Sequence, residues 1–238
     1  MFFLARHLIT ATSLFVAFMG VATAQERPVV VELFTSQSCS SCVSATRVHN
    51  ALANREDVVA LSWHVDYWNT LNTREGAWID PYSSQASTVR QRAYNQRLRG
   101  RSSVYTPQSV IGGVAEAVGS STNQIDTLLA EQKKADGPIV TARRANGKIA
   151  VEVGPGDYHG NAYLVNFVPF TQTDVRRGEN AGVLFEEYNI VTSTKMLGSV
   201  DRAGGKFLIN PPTDNQSCAI IVQEPALGRI ISARYCPS

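Results

Sequence analysis

The sequence predicts an α/β domain ordered β-α-β, helical insert, β-β-α, followed by a smaller all-β, sandwich-like domain. Three observations carry this reading. The run from Val29 to Phe34 is apolar and rich in β-branched residues, and a short polar turn leads from it into Cys39-Ser40-Ser41-Cys42 and a segment of helical spacing. A second apolar run, Val58 to Val65, follows at the distance of a βαβ crossover, which makes the two strands parallel. Beyond Gly137-Pro138 the apolar period changes to two. The expected units are residues 28–136 and 138–238.

The first 24 residues read as a leader. Arg6 and His7 precede an apolar run from Leu8 to Val21, and Ala22-Thr23-Ala24 fits the small-x-small cleavage rule. Removing 24 of 238 residues leaves 214, beginning at Gln25. Arg6 leaves with the leader, so 21 basic residues face 20 acidic ones. That balance gives no general attraction to nucleic acid, and no stable membrane insertion is expected after cleavage. All four cysteines lie beyond the leader, and an even count suits an oxidising compartment, periplasmic or secreted.

In chain order, Ser44 to about Asn54 reads as a helix with Ala45, Val48 and Leu52 inward. Residues 69–80 read as a loop or short irregular helix. Pro81 to Arg99 reads as a helix capped by Ser83 or Ser84, with Ala86, Val89, Ala93, Tyr94 and Leu98 on its apolar face. Its other face, Arg90 to Arg101, carries five arginines and reads either as a solvated face or as an anion-binding one. Val104 to Ile111, the Gly112-Gly113 turn and Val114 to Val118 form a hairpin, and Thr122 to Ala135 is the last helix. Period-two strands then run over 139–145, 148–153, 163–170, 184–192, 206–209, 218–223 and 229–235, with Asn146-Gly147 as a hairpin turn.

Strand, turn, Cys-x-x-Cys, helix is the order of a thioredoxin-type redox site. A thiol at a helix N-terminus feels free N–H groups and the positive end of the helix dipole, and both favour the thiolate. Cys39 is then the exposed attacking thiol and Cys42 the resolving one. Two other readings stand beside this: a thiol site carrying copper(I), which soft thiolates prefer, and a static disulfide. A structural zinc site needs four closed ligands, and Cys218 and Cys236 fall in the other predicted unit. No resident metal or cofactor is expected.

The segments Glu32-Leu-Phe-Thr-Ser-Gln-Ser-Cys-Ser-Ser-Cys42, His64-Val-Asp-Tyr-Trp68, Val104-Tyr-Thr-Pro-Gln108 and Arg177-Gly-Glu-Asn-Ala-Gly182 resemble an exported bacterial thioredoxin-like family described as a domain of unknown function. The resemblance covers most of the chain past the leader and implies a thioredoxin-like fold. In thioredoxin-like proteins a cis-proline faces the Cys-x-x-Cys pair, and Pro107 matches by position. Ser38 and Ser40-Ser41 stand where the ordinary motif has tryptophan and Gly-Pro, so no redox potential carries over.

Further candidates surround the pair. Glu32 interrupts an apolar strand, as a proton acceptor for Cys42 or as a hydrogen-bonded structural glutamate. His64 is expected at the redox edge, to stabilise Cys39, ligate a metal or bond within the loop. Tyr105, Thr106 and Trp68 are expected at the substrate surface, with Pro107 holding the substrate backbone. A hairpin centred on Leu227, with Gly228 left-handed, pairs residues whose numbers sum to 454 and sets Cys218 opposite Cys236 in a non-hydrogen-bonded pair that a disulfide can span. The expected activity is thiol–disulfide exchange on exported protein thiols or disulfides, with a redox partner to re-charge the site. A copper carrier and a non-enzymatic adaptor are the rivals.

Overall fold

The structure, a computed structural model, describes residues 27–213 and 215–237. The expected leader and its cleavage point before Gln25 lie outside the described residues. The elements run β1 (Val29–Thr35), α1 (Cys42–Ala53), β2 (Val58–His64), β3 (Asn72–Thr73), β4 (Gly76–Ala77), α2 (Gln85–Arg99), β5 (Gln108–Ile111), β6 (Ala115–Val118) and α3 (Thr122–Gln132). Then follow β7 (Val140–Ala145), β8 (Lys148–Val153), β9 (Gly160–Asp174), β10 (Leu184–Val200), β11 (Gly205–Ile209), β12 (Ser217–Gln223) and β13 (Ile230–Tyr235).

Eight strands form one large sheet in the order β13-β12-β9-β10-β2-β1-β5-β6. β1 and β2 are parallel, with Thr35 opposite His64, so the end of β1 that feeds the Cys-x-x-Cys turn lies beside the end of β2. β2 also pairs with β10 in parallel, at Ile190–Ser62. This join carries the sheet from the first half of the chain into the second. Four strands of the second half extend the shared sheet, and β11-β8-β7 form a second layer against them. The sandwich is therefore built on a sheet that both halves supply. Period-two patterning marks strands but does not say which free edge each one finds, and the open edge of β2 is covered by β10.

The sheet coils back on itself. Ile230 N–H donates to Gly112 O at 2.8 Å, and the Tyr235 hydroxyl donates to Ala60 O at 3.1 Å, so β13 returns to the β1–β5 end. One face encloses Val30, Phe34, Leu61, Trp63, Phe167 and Ile221 together with Tyr94 of α2. The opposite face buries Val31, Ala60, Leu52 of α1 and Ile125 and Leu129 of α3. Even-numbered residues of β1 thus face α2, and odd-numbered ones face α1.

Helix α2 is capped as expected, with Ser84 Oγ accepting Ser87 N–H at 3.1 Å and Gly100 closing the C-terminus at φ 68°. Its rotation differs from the expected one. Val89 is exposed, and the buried face carries Ser87, Thr88, Gln91, Tyr94 and Asn95. These side chains find partners: Gln91 Nε2 donates to Gln108 Oε1 (2.9 Å) and to Tyr105 O (2.7 Å), and Gln108 Nε2 donates to Asn95 Oδ1 (2.8 Å). A satisfied polar network overrides the apolar stripe. The arginine face is not uniformly solvated either. Arg90 turns inward onto Glu32, and the Arg99 guanidinium lies 5.0 Å from the Tyr105 ring centroid.

Cys218 and Cys236 are bonded, with Cα atoms 5.2 Å apart. From Ala219–Tyr235 to Val222–Ser232 the register follows the expected pairing, but a bulge at Val222/Gln223 shifts the turn. Ala226 and Leu227, not Gly228, take the left-handed conformation. The bulge inverts the parity of the ladder, so the cysteines form a hydrogen-bonded pair, Cys236 N–H to Cys218 O at 2.7 Å. Replacing both with Ser should lower stability by up to about 3 kcal/mol on the chain-entropy estimate. Urea unfolding reads the loss.

Candidate functional site

The turn after β1 brings the first two cysteines together. Cys39 N–H donates to Ser36 O (3.2 Å) and Cys42 N–H to Cys39 O (3.1 Å), and Cys42 is the first residue of α1. Cys39 and Cys42 are bonded, with Cα atoms 5.3 Å apart. Thr106–Pro107 is cis, as the resemblance implies. Thr106 Oγ1 lies 3.3 Å from Cys39 Sγ and accepts the Trp68 indole N–H at 2.7 Å. Ser41 Oγ is the other neighbour of that sulfur, at 3.3 Å. Gly119 donates to Pro107 O at 2.9 Å, and a Cβ there would lie 2.7 Å from Leu33 Cδ1 and 3.1 Å from Pro107 Cβ. A side chain there would have to displace the Leu33 methyl.

Residues far away in sequence hold the turn. Gln37 N–H donates to Asp80 Oδ2 at 2.8 Å, and its side-chain amide donates to Glu187 Oε2 at 2.7 Å. Trp78 Nε1 donates to Gln37 Oε1, and Ser38 Oγ donates to Trp78 O. From the β9–β10 connection, Asn180 Nδ2 donates to Gln37 O (2.8 Å) and Cys39 O (3.0 Å), and Glu179 Oε2 accepts Ser40 N–H (3.0 Å).

Two expectations about this site are corrected. Cys39 was expected exposed, but both bonded cysteines have 0% exposure, because the turn is enclosed by residues of the insert and the second half. Glu32 was expected as a proton acceptor for Cys42. It lies on the opposite face of the sheet from α1, where Arg90 Nε and Nη2 donate to its two oxygens at 2.7 and 3.1 Å and the Tyr94 hydroxyl donates at 2.5 Å. Of its two readings, the hydrogen-bonded one fits. Tyr105, expected at the substrate surface, is half-buried; its hydroxyl donates to Glu116 Oε2 and its carbonyl accepts from Gln91.

His64 faces the α1 side and is fully buried. Its Nδ1 lies 2.7 Å from Asp80 Oδ2 and its Nε2 3.4 Å from Glu187 Oε1. It has no open face for a substrate, so its part is to tie β2, the insert and β10 together. Burial works against its charge, yet the carboxylates of Asp80 and Glu187 raise its pKa to about 9. Burial would raise Asp80, but His64 beside it holds that carboxyl below its ordinary value. Glu187 is pushed up by burial. His49 of α1 is lowered to about 3, first by burial and then by the charge of His64. Among the described residues, no group of three or more His, Cys, Asp or Glu side chains is arranged to hold a metal ion.

These opposite shifts set a pH window. Folded His64 titrates above its ordinary 6.5, so its contribution to stability is complete below pH 6.5 and is lost as pH rises through about 9. His49 stays neutral when folded, so its contribution is complete above pH 6.5 and falls as pH drops toward 3. The thermal midpoint should therefore decline on both sides of pH 6.5. His49→Leu should narrow the gap between the midpoints at pH 5 and pH 7, and an unchanged gap would contradict the assignment.

Sequence reasoning missed Gln37, Trp78, Asp80, Glu179, Asn180 and Glu187. For Glu179 and Asn180 a signal existed, since Arg177 to Gly182 is part of the resemblance. Asp80 and Glu187 read as ordinary loop and strand acids.

The chain is thus a mixed α/β protein with a buried Cys-x-x-Cys disulfide at the joint of strand and helix, clamped by its own second half. The family model "Protein of unknown function (DUF1223)" matches residues 30–223, and the chain belongs to that family. An Agrobacterium tumefaciens protein solved by X-ray crystallography is similar over 90% of this chain and 96% of that one, at 27% identity and a TM-score of 0.75. HBP35 of Porphyromonas gingivalis shares the fold at 12% identity and a TM-score of 0.57, over 88% of this chain and 74% of that one. No curated protein matches. Among the described residues, no helix is long and apolar enough to cross a membrane.

Proposed function

We propose that this protein is an exported thiol–disulfide oxidoreductase with a thioredoxin-like redox domain, acting on thiols or disulfides of exported proteins. The observation that carries this is the Cys39–Cys42 bond at the strand–helix joint, facing a cis Thr106–Pro107 peptide whose threonine hydroxyl lies 3.3 Å from Cys39 Sγ. The order β1-α1-β2, insert, β5-β6-α3 and the strand order β2-β1-β5-β6 support the thioredoxin-like reading. Two disulfides support an oxidising compartment, periplasmic or secreted.

The Cys39 thiolate attacks a sulfur of the partner's disulfide, and the other partner sulfur leaves as a thiolate. Cys42 then loses its proton and attacks Cys39 Sγ, which closes the Cys39–Cys42 bond and releases the second partner thiol. Running the steps backwards oxidises a partner dithiol. In this reading Pro107, Thr106 and Trp68 receive the partner beside Cys39, Thr106 through the hydroxyl that touches its sulfur and that Trp68 holds.

Burial of both sulfurs favours a second reading, in which the bond is static and the protein is an adaptor. Insulin reduction in the presence of a small-molecule thiol separates the two. Catalysed reduction is the expected result, and a rate equal to that without protein would favour the adaptor.

A further inference from the structure

Two amides that follow Cys39 are engaged. Cys42 N–H goes to Cys39 O, and Ser40 N–H goes to Glu179 Oε2 at 3.0 Å. Glu179 is exposed, but the backbone that carries it is held by its neighbours. Its neighbour Asn180 is buried and bonds two carbonyl oxygens of the turn. The connection is closed on itself by Gly182 N–H to Val175 O (2.7 Å), Val175 N–H to Val183 O (3.1 Å) and Val183 N–H to Asn180 O (3.0 Å). Gly178 packs against Trp78, where a Cβ would come 3.1 Å from Trp78 Cβ. A carboxylate from the second half is thereby held on the amide of the residue after Cys39.

Free N–H groups at a helix entrance stabilise a thiolate, and a nearby anion opposes it. Glu179 does both unfavourable things: it occupies a donor and adds a like charge. The hydroxyls of Ser41 and Thr106, each 3.3 Å from Cys39 Sγ, are polar neighbours that can solvate the thiolate. Whatever destabilises the Cys39 thiolate destabilises the reduced pair and favours the disulfide. Building on the exchange activity proposed above, we infer that Glu179 is a positioning residue that makes the Cys39/Cys42 couple reducing, so that the dithiol passes its two electrons to partner disulfides. The partner disulfide becomes two thiols, Cys39 and Cys42 become bonded, and a dithiol reductant protein returns them to the reduced form.

The test uses the full exported chain and glutathione. Wild type, Glu179→Gln and Glu179→Asp are equilibrated in mixtures of reduced and oxidised glutathione. The dithiol fraction is read by alkylation and mass, and the Cys39 pKa by ultraviolet thiolate absorbance. Glu179→Gln should shift the equilibrium constant toward the dithiol by about threefold to tenfold, about 15–30 mV for this two-electron couple, and lower the Cys39 pKa. Glu179→Asp should keep both values near wild type. An unchanged potential in Glu179→Gln, or an equal shift in Glu179→Asp, would overturn the inference. The potentials are read on the protein alone, so they judge Glu179 whether or not insulin is reduced, and the insulin assay separately judges the exchange reading.

Discussion

Arg90→Met is expected to destabilise the protein by roughly 3–5 kcal/mol, the typical cost of removing one partner from a buried ion pair. Glu32 has no exposed side-chain surface, and Arg90 supplies two of its hydrogen bonds as well as its counter-charge. The same guanidinium lies 4.8 Å from the Trp63 ring centroid and donates to Gln223 Oε1, so its loss also unties α2 from β2 and β12. The double variant Glu32→Leu/Arg90→Met should recover most of the loss, because it removes the buried charge with its partner. Chemical unfolding of the single and double variants measures both effects. A single variant within about 0.5 kcal/mol of wild type, the range of an ordinary surface change, would contradict the assignment.

The second large effect falls on activity. Cys39→Ser should bring insulin reduction down to the rate without protein, because no thiolate remains in contact with Thr106 and Ser41. Cys42→Ser should retain the first attack and lose turnover, since nothing then closes on Cys39 to release the partner. The two single variants should therefore differ in kind: the first inert, the second arrested with bound partner.

Local chemistry was legible in the sequence. The valine-rich run of β1, the Cys-x-x-Cys turn, the Asn146-Gly147 hairpin and the cis Thr106–Pro107 bond all follow from short-range patterns or from the resemblance those patterns carry. What was not legible depends on which surfaces meet. Period two says that Glu32 shares a face with Val30 and Phe34, but not that α2 covers that face and brings Arg90 to it. Helix α2 shows an apolar stripe through Val89, yet its polar side packs inward because Gln108 offers partners there. The clamp on the Cys-x-x-Cys turn comes from Asp80, Glu179, Asn180 and Glu187, which lie 43 to 150 residues from the groups they bind. No periodicity links such positions. The β2–β10 join, which carries the second half against the first, brings Glu179, Asn180 and Glu187 there, and the return of the insert onto the end of β2 brings Asp80.

The central claim is that Cys39 is the sulfur that meets the partner. Peptide mapping of the adduct formed between reduced Cys42→Ser protein and a peptide disulfide tests it most directly. The account predicts one equivalent of peptide bound through Cys39, with Cys218 and Cys236 still joined to each other. No adduct, or peptide recovered on Cys218 or Cys236 instead, would contradict it.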